Sequence, residues 1–234
     1  MAKKSFNKSC VSAAGAATAI KPGRKQVFDV TRYAVSANAI VEAGRFLYQQ
    51  GWSPATSSNY SARMDPEHIA ITVSGRHKGQ LSACDVMVVD LAGRAVRSDC
   101  RSSAETRLHT VLYEMFPEVG AVLHTHSVNA TVLSRLLETG QPLALEGYEL
   151  QKAFAGIDTH ESVLTVPVFD NTQDIDALAE QTRAWFQDHP EQPGYLIRGH
   201  GLYTWGKTMA DCLRHVEAFE FLFECELVTM RVRP

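Results

Sequence analysis

Three apolar residues run straight into a pair of histidines at Ala121-Val122-Leu123-His124-Thr125-His126, and this hexapeptide constrains the chain more than any other segment. The apolar run reads as a strand held rigidly in a core. Side chains alternate along a strand, so His124 and His126 project the same way and Thr125 the other way. Ser127 opens a helix directly afterwards, which puts the pair at a strand end. Two imidazoles on one face can share a metal at about 2.0–2.1 Å from each nitrogen. Two unrelated, hydrogen-bonded histidines would give the same tripeptide, so a metal site needs a third ligand. His200 meets that need. It stands between Gly199 and Gly201 in a strand-to-strand turn, where the missing side chains let backbone and ligand approach closely. Three histidines with an open fourth position describe a catalytic zinc, because closed structural sites usually recruit cysteine. Iron, manganese or cobalt would fit a similar set.

The surrounding pattern alternates helix and strand. Apolar spacing predicts a helix over 30–50 with Gly51 as its stop, and short strands over 56–63 and 68–73 around Asp65-Pro66. A hairpin follows, pairing 86–89 with 95–96 across Ala92-Gly93. Ser102-Ser103-Ala104-Glu105 opens a helix that Pro117 stops, and Ser127 caps another that runs to Gly140. Beyond it come a strand over 163–169 and a helix over 175–186. Strands over 195–197 and 202–205 flank His200, and a long helix covers 209–230. Several hairpins among helices predict a largely antiparallel sheet covered by helices.

With 234 residues, 45% of them hydrophobic, and no linker, the chain suits one catalytic domain over 29–234. Residues 1–28 differ from the rest. Lys3, Lys4, Lys8, Lys21, Arg24 and Lys25 precede any acid, around a stretch of alanines too short to span a membrane. Lysine rather than arginine dominates, which favours a flexible basic arm over a transit peptide. A net charge of -3 gives no chain-wide field for nucleic acid. Cysteines at 10, 84, 100, 212 and 225 form no CxxC pair and read as reduced thiols of a cytoplasmic protein.

Two acids are candidates for moving protons. Glu105 either closes an S-x-x-E capping box with Ser102 or faces the metal as an acid. Glu149 lies about two dozen residues after the histidine pair, and spacing alone does not separate a catalytic role from a solvated surface acid. His109, one turn after Glu105, reads as its local partner. His68, His160, His189 and His215 form no constellation. Hydroxyl-rich turns at 56–61 and 72–78 combine serines, glycine and Lys78 in a form that suits a phosphate monoester, and Ser102-Ser103 adds a helix N-terminus. No Walker or dinucleotide glycine pattern is present.

Asn59 with Ser61, Thr72-Val73-Ser74-Gly75, Ser103-Ala104-Glu105, His124-Thr125-His126 and Arg198-Gly199-His200-Gly201 occur in an order that resembles the class II aldolase/adducin family. Residues 51–57, 148–152 and 200–206 look most like the dehydratase branch of that family. The resemblance implies an α/β/α sandwich around a mostly antiparallel mixed sheet, with one zinc per subunit on His124, His126 and His200. It also implies a homo-oligomer, often a tetramer, with sites near subunit interfaces. The activity implied is dehydration of a phosphorylated sugar in methionine salvage, with aldolase or epimerase chemistry on another sugar phosphate as the alternative. The dehydratase acid/base maps to Glu149, and the acid of the aldolases to Glu105. Asn59, Ser74 and Gly75 match phosphate positions, Ser103 more loosely, and Lys78 adds a charge beside them. Where many relatives have glycine before the asparagine, this chain has Ser58. An adducin-like interaction module without chemistry would have little reason to keep all three histidines.

Overall fold

The structure, a computed structural model, describes residues 29–96, 98–138 and 140–232. The basic arm expected over 1–28 lies outside them. Helix α1 (Val30–Gln49) begins where the Asp29 carboxylate accepts from the amides of Thr31 at 2.7 Å and Arg32 at 3.3 Å, satisfying otherwise orphaned donors. It ends at Gly51, whose φ of 78° suits a helix stop. Strands β1 (Asn59–Arg63), β2 (His68–Thr72) and β3 (Val86–Asp90) form a meander. Then come α2 (Thr106–Met115), β4 (Ala121–Thr125) and α3 (Val128–Leu136). A ribbon of β5 (Leu143–Leu145) and β6 (Leu164–Val166) precedes β7 (Val168–Phe169) and α4 (Ile175–Asp188). The chain finishes with β8 (Gly194–Ile197), β9 (Gly201–Gly206) and α5 (Met209–Val232).

Seven strands form one sheet in the order β3-β2-β1-β4-β9-β8-β7, and every neighbouring pair is antiparallel except β7 with β8. The alternation of β4 shows how the sheet is covered. Val122 packs into a core with Leu112, Leu178 and Phe186 of α2 and α4, whereas Ala121 and Leu123 enter an opposite core with Ile40, Leu47 and Val216 of α1 and α5. A third cluster joins α3 and α5 to the β5–β6 ribbon through Leu133, Leu145, Leu164 and Phe219. The result is the expected three-layer sandwich.

Some local expectations fail, each for a physical reason. The first strand starts only at Asn59, because Ala55 and Ser58 have φ of 54° and 70° and turn the preceding segment. Of the hairpin partner at 95–96, a single bridge from Val89 to Ala95 forms. The helix after Ser127 ends at Leu136, short of Gly140. The strand expected over 163–169 breaks at Pro167, which has no amide to donate; β6 pairs with β5, while β7 crosses to β8. Ser102 and Glu105 make no capping box. Helix α2 starts at Thr106, no side chain caps it, and Ser102 bridges Val73 instead.

Candidate active site

Strand register assembles the site. Asn59 on β1 lies opposite His124 on β4, which lies opposite Tyr203 on β9. Side chains in such a row project to the same face of the sheet. The His124 imidazole stacks on the Tyr203 ring with centroids 4.0 Å apart and planes at 15°. His126 lies one residue beyond β4, and its amide donates to the Trp52 carbonyl at 2.8 Å, fixing the strand end. His200 arrives from the β8–β9 turn, where Gly199 has φ of 63°. A Cβ on Gly201 would lie 1.9 Å from the Thr125 carbonyl oxygen, so only glycine lets this turn close against β4.

The three imidazoles converge. Their ligand atoms all lie within 4.8 Å of one another, with ring centroids 4.5–4.9 Å apart. The Nδ1–H of His124 donates to the Leu202 carbonyl at 2.9 Å, leaving the Nε2 lone pair to point into the site. That Nε2 is 3.3 Å from the Nε2 of His200. A tetrahedral ion with bonds of about 2.05 Å separates its ligand nitrogens by roughly 3.3 Å, so the pair is spaced to share one cation. Burial, reinforced by the charges the neighbouring imidazoles would carry, holds His124 well below the usual histidine range, and burial lowers His126 to about 4. Both are therefore neutral near pH 7, the form in which imidazole ligates metal.

Glu105 belongs to this site and not to a cap. Its Oε2 lies 3.5 Å from Nε2 of His124, and its Oε1 lies 3.3 Å from Nε2 of His200. The carboxylate accepts from Asn59 Nδ2 at 2.7 Å and from the Tyr203 hydroxyl at 3.0 Å. His109 is not its local partner. The fully buried His109 ring bonds Asn59 Oδ1 through Nε2 and Ser61 Oγ at 2.8 Å through Nδ1, and Ser61 meets the Tyr113 hydroxyl at 2.9 Å. Helical spacing suggested the contact with Glu105, but the β1 side chains took the ring. This chain of contacts is the part of the site that sequence reasoning missed, and the only available signal was that Asn59, Ser61 and His109 are all polar residues in apolar surroundings.

A cavity of about 250 Å³ opens in front of the histidines. His126, His200 and Glu105 line it together with Asn59, Ser74, Gly75, Ser103 and the hydroxyl-rich 56–58 turn. Gly75 has φ of 72°, the left-handed conformation the turn requires. Four of the five expected phosphate contacts therefore share one cavity with His126 and His200. Lys78 takes a different place. It is buried, with its amine donating to the Arg76 carbonyl at 2.7 Å and reaching the Thr56 carbonyl at 3.5 Å, so it ties the 56–58 and 74–76 turns together from beneath. Burial lowers its pKa to about 8.

Glu149 stands apart from this cavity in the single chain. Its side chain is 74% exposed at the start of a short helical turn, with the Lys152 amine at 2.5 Å and His160 Nδ1 at 3.8 Å. The Lys152 ammonium holds its carboxyl below the usual glutamate range.

Residues 38–227 match the model of the Class II Aldolase and Adducin N-terminal domain. A methylthioribulose-1-phosphate dehydratase of Marinobacter nauticus is 80% identical over 88% of the chain and 100% of its own length. Another from Hahella chejuensis is 63% identical over the same shares. In three dimensions, an L-fuculose-1-phosphate aldolase of Thermus thermophilus superposes with a TM-score of 0.68 at 24% identity, over 85% of this chain and 96% of that one. A further L-fuculose 1-phosphate aldolase gives 0.71 at 21% identity, over 86% and 89%. At those identities the structural matches speak for the fold.

Proposed function

The chain belongs to the class II aldolase and adducin family and stands with its methylthioribulose-1-phosphate dehydratases, and from that premise we propose that it converts 5-methylthioribulose 1-phosphate to 2,3-diketo-5-methylthiopentyl 1-phosphate and water. The reaction serves methionine salvage in the cytoplasm, and the catalytic unit spans 29–234. The observation that carries this reading is the convergence of His124, His126 and His200, of which His126 and His200 wall a hydroxyl-lined cavity.

Zinc on these three nitrogens would act as a Lewis acid for negative charge developing on the substrate's C2 oxygen. Ser74, Gly75, Asn59 and Ser103 hold the phosphate with hydroxyl, amide and backbone N–H donors, with the Lys78 charge beneath the turns, and so fix the ketose in one orientation. Glu149 removes the C3 proton and returns a proton to the departing C4 hydroxyl, which leaves as water. The C3 enol then ketonises to the second carbonyl.

For Glu149 to do this it must reach a cavity, and in a homo-oligomer that cavity belongs to a neighbour. Helix α3 presents Val128, Val132 and Leu136 at four-residue spacing, all exposed in the single chain, and exposed Leu150 adjoins Glu149. An apolar stripe that starts two residues after a metal ligand suits the face of a second copy, here within a tetramer. Burial of that face would bring one subunit's Glu149 to its neighbour's site.

A second reading rests on Glu105, whose carboxylate is already in the cavity against His124 and His200. An aldolase or epimerase acting on another sugar phosphate would use it as the acid. Incubation of the zinc-loaded protein with 5-methylthioribulose 1-phosphate separates the two. The expected product is the diketone, lost on chelation and regained with zinc. Carbon–carbon cleavage fragments, or no diketone from fully loaded protein, would sink the dehydratase reading.

A further inference from the structure

A second, smaller cavity of about 90 Å³ adjoins the first, and the two share Ala104, Glu105 and His200 as common walls. Its lining has a different chemistry. Leu178 and Ile197, each 1% exposed, and the half-buried Ile175 form the apolar part, and Asn171, Thr172 and Gln173 form the rim. Resting on the dehydratase reading above, we propose that this cavity is the thioether subsite, which receives the methylthio end of the ketose while the phosphate lies in the larger cavity.

The two ends of such a substrate demand opposite surroundings. A phosphate dianion needs several donors, and the hydroxyls and glycine of the larger cavity provide them. Glu105 walls both cavities and neither lining holds a lysine or arginine, so donors decide: the smaller cavity sets only the rim groups of Asn171, Thr172 and Gln173 against three aliphatic side chains, which would leave a phosphate there short of partners. A thioether is a poor acceptor with no proton to donate and gains from aliphatic contact. Its sulfur and methyl together need about the room of two waters, roughly 60 Å³, which the cavity can hold. The shared wall at His200 leaves the reacting carbons between the two ends, next to the metal ligands.

The subsite is also preformed. Ile197 accepts from the amide of His200 at 3.0 Å, so an apolar wall and a metal ligand belong to one turn. The Arg198 amide donates to the Phe169 carbonyl at 2.9 Å, and its guanidinium reaches Asp170 at 3.1 Å, which pins the 170–175 segment to the same turn. Asp174 caps α4 by accepting from the Ala177 amide at 3.0 Å, which fixes Ile175 as the first helical residue. A site of this kind discriminates between ligands without first ordering a loop.

The test compares two substrates on zinc-loaded full-length protein: 5-methylthioribulose 1-phosphate, and 5-deoxyribulose 1-phosphate, in which hydrogen replaces the methylthio group. Wild-type protein is expected to favour the thioether by ten-fold or more in kcat/KM, about what a small apolar pocket confers. Ile175→Phe, which fills the cavity, should lower kcat/KM on the thioether at least ten-fold, mainly through KM, and leave the deoxy substrate within about two-fold. Ile175→Ala should narrow the preference with less effect on folding, and melting curves and zinc content identify any variant that has lost its structure. Parallel losses on both substrates, or no loss on either, would overturn the subsite while leaving the dehydratase reading intact. Wild-type protein that forms no diketone from the thioether ketose overturns that reading and the subsite with it.

Discussion

His109 donates its Nε2–H to the Oδ1 of Asn59, whose amide lies between this ring and the Glu105 carboxylate. The polarity follows from the far end of the chain. On its other side Asn59 Nδ2 donates to Glu105 Oε2 at 2.7 Å, so the amide oxygen faces His109. His109 is then the Nε2–H tautomer, its Nδ1 accepts from Ser61, and Ser61 in turn accepts from the Tyr113 hydroxyl. Burial lowers His109 to about 3, so the ring stays neutral across the working pH range and this order persists. Replacing His109 with Ala leaves Asn59 Oδ1 buried without its donor, at about 1–3 kcal/mol, and leaves Ser61 with the Tyr113 hydroxyl alone. A lower melting temperature is expected. A drop of about ten-fold or more in kcat/KM should accompany it as Asn59 and Glu105 lose their placement. Unchanged kinetics in a folded, zinc-loaded His109→Ala protein would show that the network does not reach the chemistry.

Glu149→Gln and His200→Ala should complement each other. Each variant alone is expected to lose at least a hundred-fold in kcat, one for want of the proposed proton-transfer group and the other for want of metal. If a site combines the histidines of one subunit with Glu149 of another, random mixing of the two variants restores about a quarter of the sites. Co-expression followed by assay of the mixed oligomer reads this directly. Activity no higher than that of either parent would place Glu149 and the histidines of a single subunit together, or remove Glu149 from the reaction.

Metal should stabilise as well as activate. A ligand that binds the folded state alone contributes about 2.7 kcal/mol at a free concentration one hundred times its Kd. Chelated protein is therefore expected to melt several degrees lower and to recover with zinc, whereas His200→Ala should melt at the same temperature with or without zinc. A zinc-dependent shift in that variant would mean that the ion binds elsewhere.

Ser58 carries φ of 70°, a conformation that costs an L-residue roughly 1–2 kcal/mol and glycine almost nothing. Ser58→Gly releases this strain but gives the unfolded chain more freedom, so the net gain is about 0.5–1 kcal/mol. Denaturant titration should show a higher midpoint at unchanged slope. A lower midpoint would mean that the serine side chain contributes more to the folded state than its backbone costs.

What the sequence disclosed and what it concealed follow from the range of each signal. His124 and His126 were legible because the period of a strand is local, and His200 because a glycine on each side marks a close approach. The 1.9 Å separation that a Cβ on Gly201 would have from Thr125 is that approach in the fold. Glu105 was ambiguous because a capping box and a site acid have the same spacing, and only the tertiary positions of His124 and His200 separate them. His109 was misassigned for a similar reason, since its neighbour one turn away was visible and its partners on β1 were not. The β5 strand has three residues, too few for a period to show, and its partner β6 was hidden within a longer apolar run that Pro167 divides.

Glu220 gives the stability of the fold a pH dependence unlike that of an ordinary carboxylate. It lies on α5, 2% exposed, with Oε2 3.4 Å from the Asn129 amide nitrogen on the first turn of α3, and Oε1 has no hydrogen-bond partner among the described residues. Burial pushes the carboxyl up to about 7 from its ordinary 4.5. The folded state therefore binds more protons than the unfolded state between those two values, and stability falls as pH rises through that window. Its contribution is fully present below about pH 4.5, is lost as pH passes 7, and changes no further above that. The full shift corresponds to a difference of about 3 kcal/mol between the two protonation states. Glu220→Gln keeps the shape and the polar contacts without the charge, so it should melt higher than wild type at pH 8 and close to it at pH 5. Melting curves across pH 5–8 check this through the difference between the two proteins, which is indifferent to the acid sensitivity of the histidine cluster they share. A constant difference across the range would show that Glu220 does not titrate there.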